Sequence, residues 1–71
     1  MPLIEVTLTH GRTPEQIRSM ISALTHAVAE TIDAPIPTIR VVVREVPQTH
    51  FAAGDVTIAE RLSEPSRSSH E

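Results

Sequence analysis

The sequence predicts an α/β protein: a single β-α-β unit of two parallel strands and one long helix, followed by a short C-terminal β-hairpin. Three observations predict it. Residues 3–9 alternate apolar and polar with period two, residues 14–32 carry a capped helical stripe, and residues 38–46 form a second β-branched run stopped by Pro47. A chain of 71 residues has room for one domain. We place that domain at residues 1–62, with Met1 removed from the mature protein. The polar stretch 63–71 is expected to be a disordered tail.

In the first strand Ile4, Val6 and Leu8 face one way, and Glu5, Thr7 and Thr9 the other. His10-Gly11-Arg12 breaks the alternation at a turn. Thr13 can then cap a helix, Pro14 suits its first position, and Gln16 completes a capping box. Ile17, Met20, Ile21, Leu24, Val28 and Ile32 trace one apolar stripe. Arg18, Ser22, Thr25, His26 and Glu30 fall on the other face. The helix should end before Asp33-Ala34-Pro35, since a residue preceding proline is driven out of helical geometry. Pro37 keeps the connector irregular.

The second strand is predicted over 38–46, with Ile39, Val41 and Val43 on one face and Arg40, Val42 and Arg44 on the other. Strand, helix, strand implies parallel pairing through a right-handed crossover. Beyond Pro47 the pattern weakens. Ala53-Gly54-Asp55 reads as a turn, and Val56 and Ile58 as a brief strand after it.

Such a unit leaves one sheet face and both strand edges uncovered. Small folds compensate with disulfides, metals or association. The chain has no cysteine, and its four histidines, His10, His26, His50 and His70, stand at no tight ligand spacing, so no metal is expected. Association remains, with the site between subunits. The net charge of −3, the single aromatic and the lack of a basic run argue against nucleic-acid binding. No apolar run nears the ~20 residues of a membrane span, and no secretory signal pattern opens the chain, so a cytoplasmic protein is expected.

All six basic residues are arginines, and there is no lysine. Arginine stays protonated and is a poor base. The α-amine is then the one amine that can be neutral near pH 7, and loss of Met1 would place it on Pro2. Pro2 by itself is also what any residue after a start codon looks like. Phe51 is either packing for the hairpin or an apolar wall of a site. An apolar wall disfavours the ammonium form, and each unit of lowered pKa corresponds to about 1.4 kcal/mol. Arg12 and Arg40 are either solubilising surface groups or bidentate carboxylate ligands, and Arg40, beside Val42, has the less ordinary setting.

Taken together, Pro2, Gly11-Arg12, Asp33-Ala34-Pro35, Ile39-Arg40-Val41 and His50-Phe51 resemble the 4-oxalocrotonate (2-hydroxymuconate) tautomerases of the tautomerase superfamily, over residues 2–62. The resemblance implies that Pro2 is the catalytic base and acid. It implies that Arg12 and Arg40 bind a dicarboxylate, that Phe51 keeps the site apolar, and that Thr9 contributes its backbone N–H. It further implies a homohexamer built as a trimer of dimers, no metal or organic cofactor, and a role in aromatic catabolism. The expected reaction converts a 2-hydroxy-2,4-dienoate to the conjugated 2-oxo-3-enoate. Relatives that hydrate haloacrylates add a carboxylate near the aromatic, whereas Ala52 and Ala53 stand there and Asp55 is the nearest acid. Two alternatives use the same residues: a biosynthetic tautomerase for another 2-oxo acid, and a non-catalytic oligomeric anion-binding module. His10 and His50 flank the motif positions, either at a site rim or in solvent.

Overall fold

The computed structural model describes residues 2–63, and the chain divides into two compact units. The first unit takes in residues 2–7 and 11–44, and the second residues 8–10 and 45 onward. Three elements make the β-α-β unit: β1 (Leu3–Thr9), α1 (Pro14–Ile32) and β2 (Arg40–Val46). The strands pair in parallel, as the alternation and the intervening helix predict.

α1 begins where its capping box places it. The Thr13 N–H donates to Gln16 Oε1 at 2.9 Å, and the Gln16 N–H donates to Thr13 Oγ1 at 3.1 Å. A cap of this kind stabilises a helix by about 1 kcal/mol. Asp33 closes the other end in the left-handed region at φ 58°, which a short polar side chain tolerates. Ile17, Met20, Ile21, Leu24 and Val28 are half-buried, as are Ile4, Val6, Val41 and Val43 of the strands. Leu3, Glu5, Thr7, Arg40, Val42 and Arg44 form the exposed face. There Arg44 Nη2 donates to Glu5 Oε2 at 3.3 Å, tying the two strands.

Two expectations for this unit need correction. β2 starts at Arg40 rather than residue 38, because Ile36–Thr38 forms a 3-10 turn. The Thr38 N–H donates to the Pro35 carbonyl at 3.0 Å, the Ile39 N–H to Ile36 at 3.1 Å, and the Thr38 hydroxyl to Pro35 at 2.7 Å. The β-branched pair Thr38-Ile39 thus serves the turn, with Pro35 and Pro37 fixing its backbone. On α1, Ser22 and Thr25 are half-buried rather than solvated, and the Thr25 hydroxyl folds back on the Ile21 carbonyl at 2.8 Å. Ile32, at the end of the apolar stripe, is 62% exposed.

In the second unit a 3-10 turn at Gln48–His50 leads to an antiparallel hairpin of β3 (Ala52–Ala53) and β4 (Val56–Thr57). Ala52 faces Thr57, and Ala53 faces Val56. The corner is therefore two residues, Gly54 at φ 59° and Asp55 at φ 69°, and Ala53 belongs to the strand. Two left-handed residues in a row match the right-handed twist of a tight hairpin. The segment beginning at Ile58 is not strand but α2 (Ile58–Leu62). Thr57 caps it with Glu60 at its third position, by bonds of 3.0 and 3.1 Å. Ser63, placed in the polar tail from the sequence, closes α2, its N–H donating to the Ala59 and Glu60 carbonyls at 3.2 Å. The rest of the expected disordered tail, 64–71, lies outside the described residues.

Among the described residues none is buried. Leu3 remains 56% exposed and Leu62 62%. Apolar surface left in water forgoes about 25 cal/mol per Å², so this chain has stabilisation still to gain by association.

Candidate functional site

Pro2 lies half-buried immediately ahead of β1. Its carbonyl accepts a hydrogen bond of 3.0 Å from the backbone N–H of Arg40, the first residue of β2. The pairing of the strands thus brings together two candidate residues that are far apart in sequence. Arg40 presents its side chain on the exposed sheet face, together with Val42. Arg44, which shares that face, is held by Glu5 and has the simpler task of joining the strands.

Arg12 is exposed in the loop between β1 and α1. Gly11 before it has φ 131°, a conformation that favours glycine whatever space surrounds it. Thr13 after it is the cap of α1. Arg12 is therefore bracketed by a turn residue and a helix start, both fixed by local sequence.

Thr9 and Phe51 belong to the second unit. Thr9 ends β1 and is half-buried. Its neighbour His10 is exposed, and the His10 backbone N–H donates to the Val46 carbonyl at 3.0 Å. Phe51 follows the Gln48–His50 turn and is half-buried. Its carbonyl accepts from the N–H of Ile58, the first residue of α2, at 2.8 Å. His50 is exposed, with its Nδ1 3.1 Å from the Thr49 hydroxyl.

The sequence reading did not foresee that α2 holds Phe51. The signal was present, since Thr57 and Glu60 have the spacing of a capping box. A groove of about 430 Å³ in the first unit, floored by Ile21, Ile36 and Ile39 with Arg18 and His26 at its rim, contains none of the candidate residues. Among the described residues no three His, Asp or Glu side chains are grouped to hold a metal ion. No described helix is long and apolar enough to cross a membrane.

Within the first unit a proline stands ahead of β1, bonded through its carbonyl to the residue that opens β2, and a second arginine follows a glycine turn. The second unit carries a half-buried phenyl ring. The sequence matches the family model "Tautomerase enzyme" over residues 2–61. Two curated relatives are similar along most of the chain. The "Probable tautomerase" of Ralstonia nicotianae is 42% identical, with 97% of each chain covered. A "2-hydroxymuconate tautomerase" of Pseudomonas sp. is 37% identical, covering 76% of this chain and 86% of its own. Among solved structures, TomN, a 4-oxalocrotonate tautomerase homologue in the tomaymycin biosynthetic pathway, has a TM-score of 0.87 at 41% identity, covering 90% of this chain and 98% of its own. A heterohexamer 4-oxalocrotonate tautomerase from Chloroflexus aurantiacus has a TM-score of 0.82 at 37% identity, covering 84% and 97%.

Proposed function

This chain belongs to the tautomerase family, a family of isomerases, and on that premise we propose that it ketonises a 2-hydroxymuconate-like dicarboxylate, with the amine of Pro2 as base and then acid. The bond between the Pro2 carbonyl and the Arg40 N–H carries this reading, because it fixes the prospective base against the strand that bears a prospective substrate ligand. The family match also begins at residue 2.

In the proposed reaction neutral Pro2 accepts the proton of the C2 hydroxyl. The O–H electrons form the C2 carbonyl, and the diene shifts by one position. Protonated Pro2 returns a proton to the terminal diene carbon, leaving the conjugated 2-oxo-3-enoate. No atom is gained or lost, and the amine ends as it began. The dienolate between the steps carries extra negative charge, which fixed cations stabilise best when water is excluded. Arg12 and Arg40 supply the cations, Phe51 the apolar wall, and the Thr9 backbone N–H a donor. One group that gives and takes the same proton works best with a pKa near the working pH.

The unit's exposed apolar surface and the heterohexameric relative support a hexamer, which we propose is built from copies of this chain. A biosynthetic role on another 2-oxo acid is a second reading, favoured by the likeness to TomN. The decisive experiment follows 2-hydroxymuconate ketonisation by ultraviolet absorbance, with intact mass confirming that Met1 is absent. Turnover that falls at least about 10²-fold in Pro2→Ala supports the proposal. A mature protein that keeps Met1 has an amide at Pro2 and overturns it. Faster turnover of a monocarboxylic 2-oxo acid would move the protein to the second reading. Light scattering should return six times the chain mass of 7.8 kDa.

A further inference from the structure

We infer that the backbone N–H of Arg40 is the positioning group for the Pro2 amine, a role separate from that of its guanidinium. The inference rests on the proposed reading of Pro2 as the base. Without Met1, Pro2 is the end of the chain, and chain ends fray unless something ties them down. Its ring fixes the torsion on the nitrogen side, and the peptide to Leu3 is planar. One soft torsion remains, about the Cα–C bond, and it swings the ring nitrogen relative to β1. The hydrogen bond from Arg40 holds the peptide plane on the far side of that torsion.

The donor is itself held firmly. Arg40 follows the Ile36–Thr38 turn, in which the Pro35 carbonyl accepts from both the Thr38 N–H at 3.0 Å and the Thr38 hydroxyl at 2.7 Å. The Ile39 N–H, one residue before Arg40, is bonded to Ile36 at 3.1 Å. Pro35 and Pro37 restrict the backbone on either side of Ile36. A tethered chain end is thus referred to a braced turn rather than to a flexible loop. A base has to lie within hydrogen-bond reach of its proton, and a misplacement of about 1 Å can cost roughly 10²-fold.

The test replaces the amide between Ile39 and Arg40 by an ester in the full chain, made by chemical synthesis from Pro2 to Glu71. Arg40 then keeps its guanidinium and loses its N–H. The comparison protein carries the same ester at Ile17, whose N–H donates to the Thr13 carbonyl at 3.1 Å at the start of α1. Two readouts are taken: kcat and KM on 2-hydroxymuconate, and titration of a ¹⁵N-labelled Pro2 by NMR. The ester at Arg40 should lower kcat about tenfold with KM within about twofold. It should also raise the Pro2 pKa, because an amine freed toward water regains hydration of its charged form. The ester at Ile17 should leave both readouts close to wild type. Wild-type kcat and titration in the Arg40 ester, or an equal loss in the Ile17 ester, overturn the inference.

Should the ester protein fail to fold, Thr38→Val gives a milder version by removing one of the two bonds to Pro35. A loss of about threefold in kcat, restored by Thr38→Ser, supports the inference, and an unchanged kcat and titration in Thr38→Val overturn it. Undiminished turnover in Pro2→Ala would instead overturn the functional reading. The ¹⁵N titration would still decide the positioning, since it needs no substrate.

Discussion

The two helices begin alike and serve different ends. Each opens with a threonine cap and a reciprocal bond from the residue three places on: Thr13 with Gln16 at 2.9 and 3.1 Å, Thr57 with Glu60 at 3.0 and 3.1 Å. α1 then runs for 19 residues and α2 for five. A cap fixes where a helix starts. Its length depends on whether each added turn finds apolar partners, because a helix gains one bond per residue only after a costly first turn. α1 has an apolar stripe to sustain it, whereas α2 is little more than its two caps. Each start nonetheless adjoins a candidate site residue. Arg12 immediately precedes the cap of α1, and the first residue of α2 bonds the Phe51 carbonyl at 2.8 Å. The long helix is foremost a building element and the short one a clasp.

The largest effect is expected at the proposed base, which lies on neither helix. Pro2→Ala should lower kcat/KM by about 10²- to 10⁴-fold while thermal unfolding stays within a few degrees of wild type. A loss below tenfold would overturn Pro2 as the base. Phe51→Ala comes next and examines the clasp's cargo. If the ring walls the proposed site, removing it admits water, the Pro2 ammonium is better solvated, and the amine's pKa rises. Activity near pH 7 should fall about tenfold and recover as the pH is raised. A uniform loss at every pH would mean that Phe51 acts by shape instead.

The capping threonines separate the helices most directly. Thr13→Ala and Thr57→Ala each remove about 1 kcal/mol of local stabilisation. In α1 that loss should appear in thermal unfolding, by several degrees for a domain this small, with kcat/KM nearly unchanged. In α2 it should appear mainly as a several-fold fall in kcat/KM, because the tether of Phe51 loosens. The reverse assignment would break the comparison. The smallest effect is expected away from both helices, at Arg44→Ala. Its side chain and that of Glu5 are 55% and 52% exposed, and such pairs are worth less than about 0.5 kcal/mol.

The β-α-β frame was legible because its signals are local and repeated. Ile4, Val6 and Leu8 alternate over a full strand, and the stripe from Ile17 to Val28 spans several turns. α2 escaped because a five-residue helix offers no period, and Val56 with Ile58 imitates the alternation of a strand. The start of β2 was misplaced because Thr38 and Ile39 have strand propensity but sit under the control of two prolines. For the site, composition singled out the α-amine, the residues offered Phe51, Arg12 and Arg40 each beside a plainer reading, and the resemblance gave them roles and added Thr9. The bond between Pro2 and Arg40 depends on the register of two strands separated by a helix. Register follows from packing over the whole unit and is not written at either residue.

That no described residue is buried within a single chain has a consequence for how this sequence can change over time. In most proteins exposed positions drift freely and interior ones are held. If the proposed assembly forms, the exposed apolar residues Leu3, Val42 and Leu62 are those whose surroundings only neighbouring copies can complete, so every substitution there is repeated in each copy at once. Such positions should accept polar replacements less readily than half-buried Thr25, whose hydroxyl is bonded to the Ile21 carbonyl within its own helix. The oligomer would then set the rate at which the chain's surface evolves.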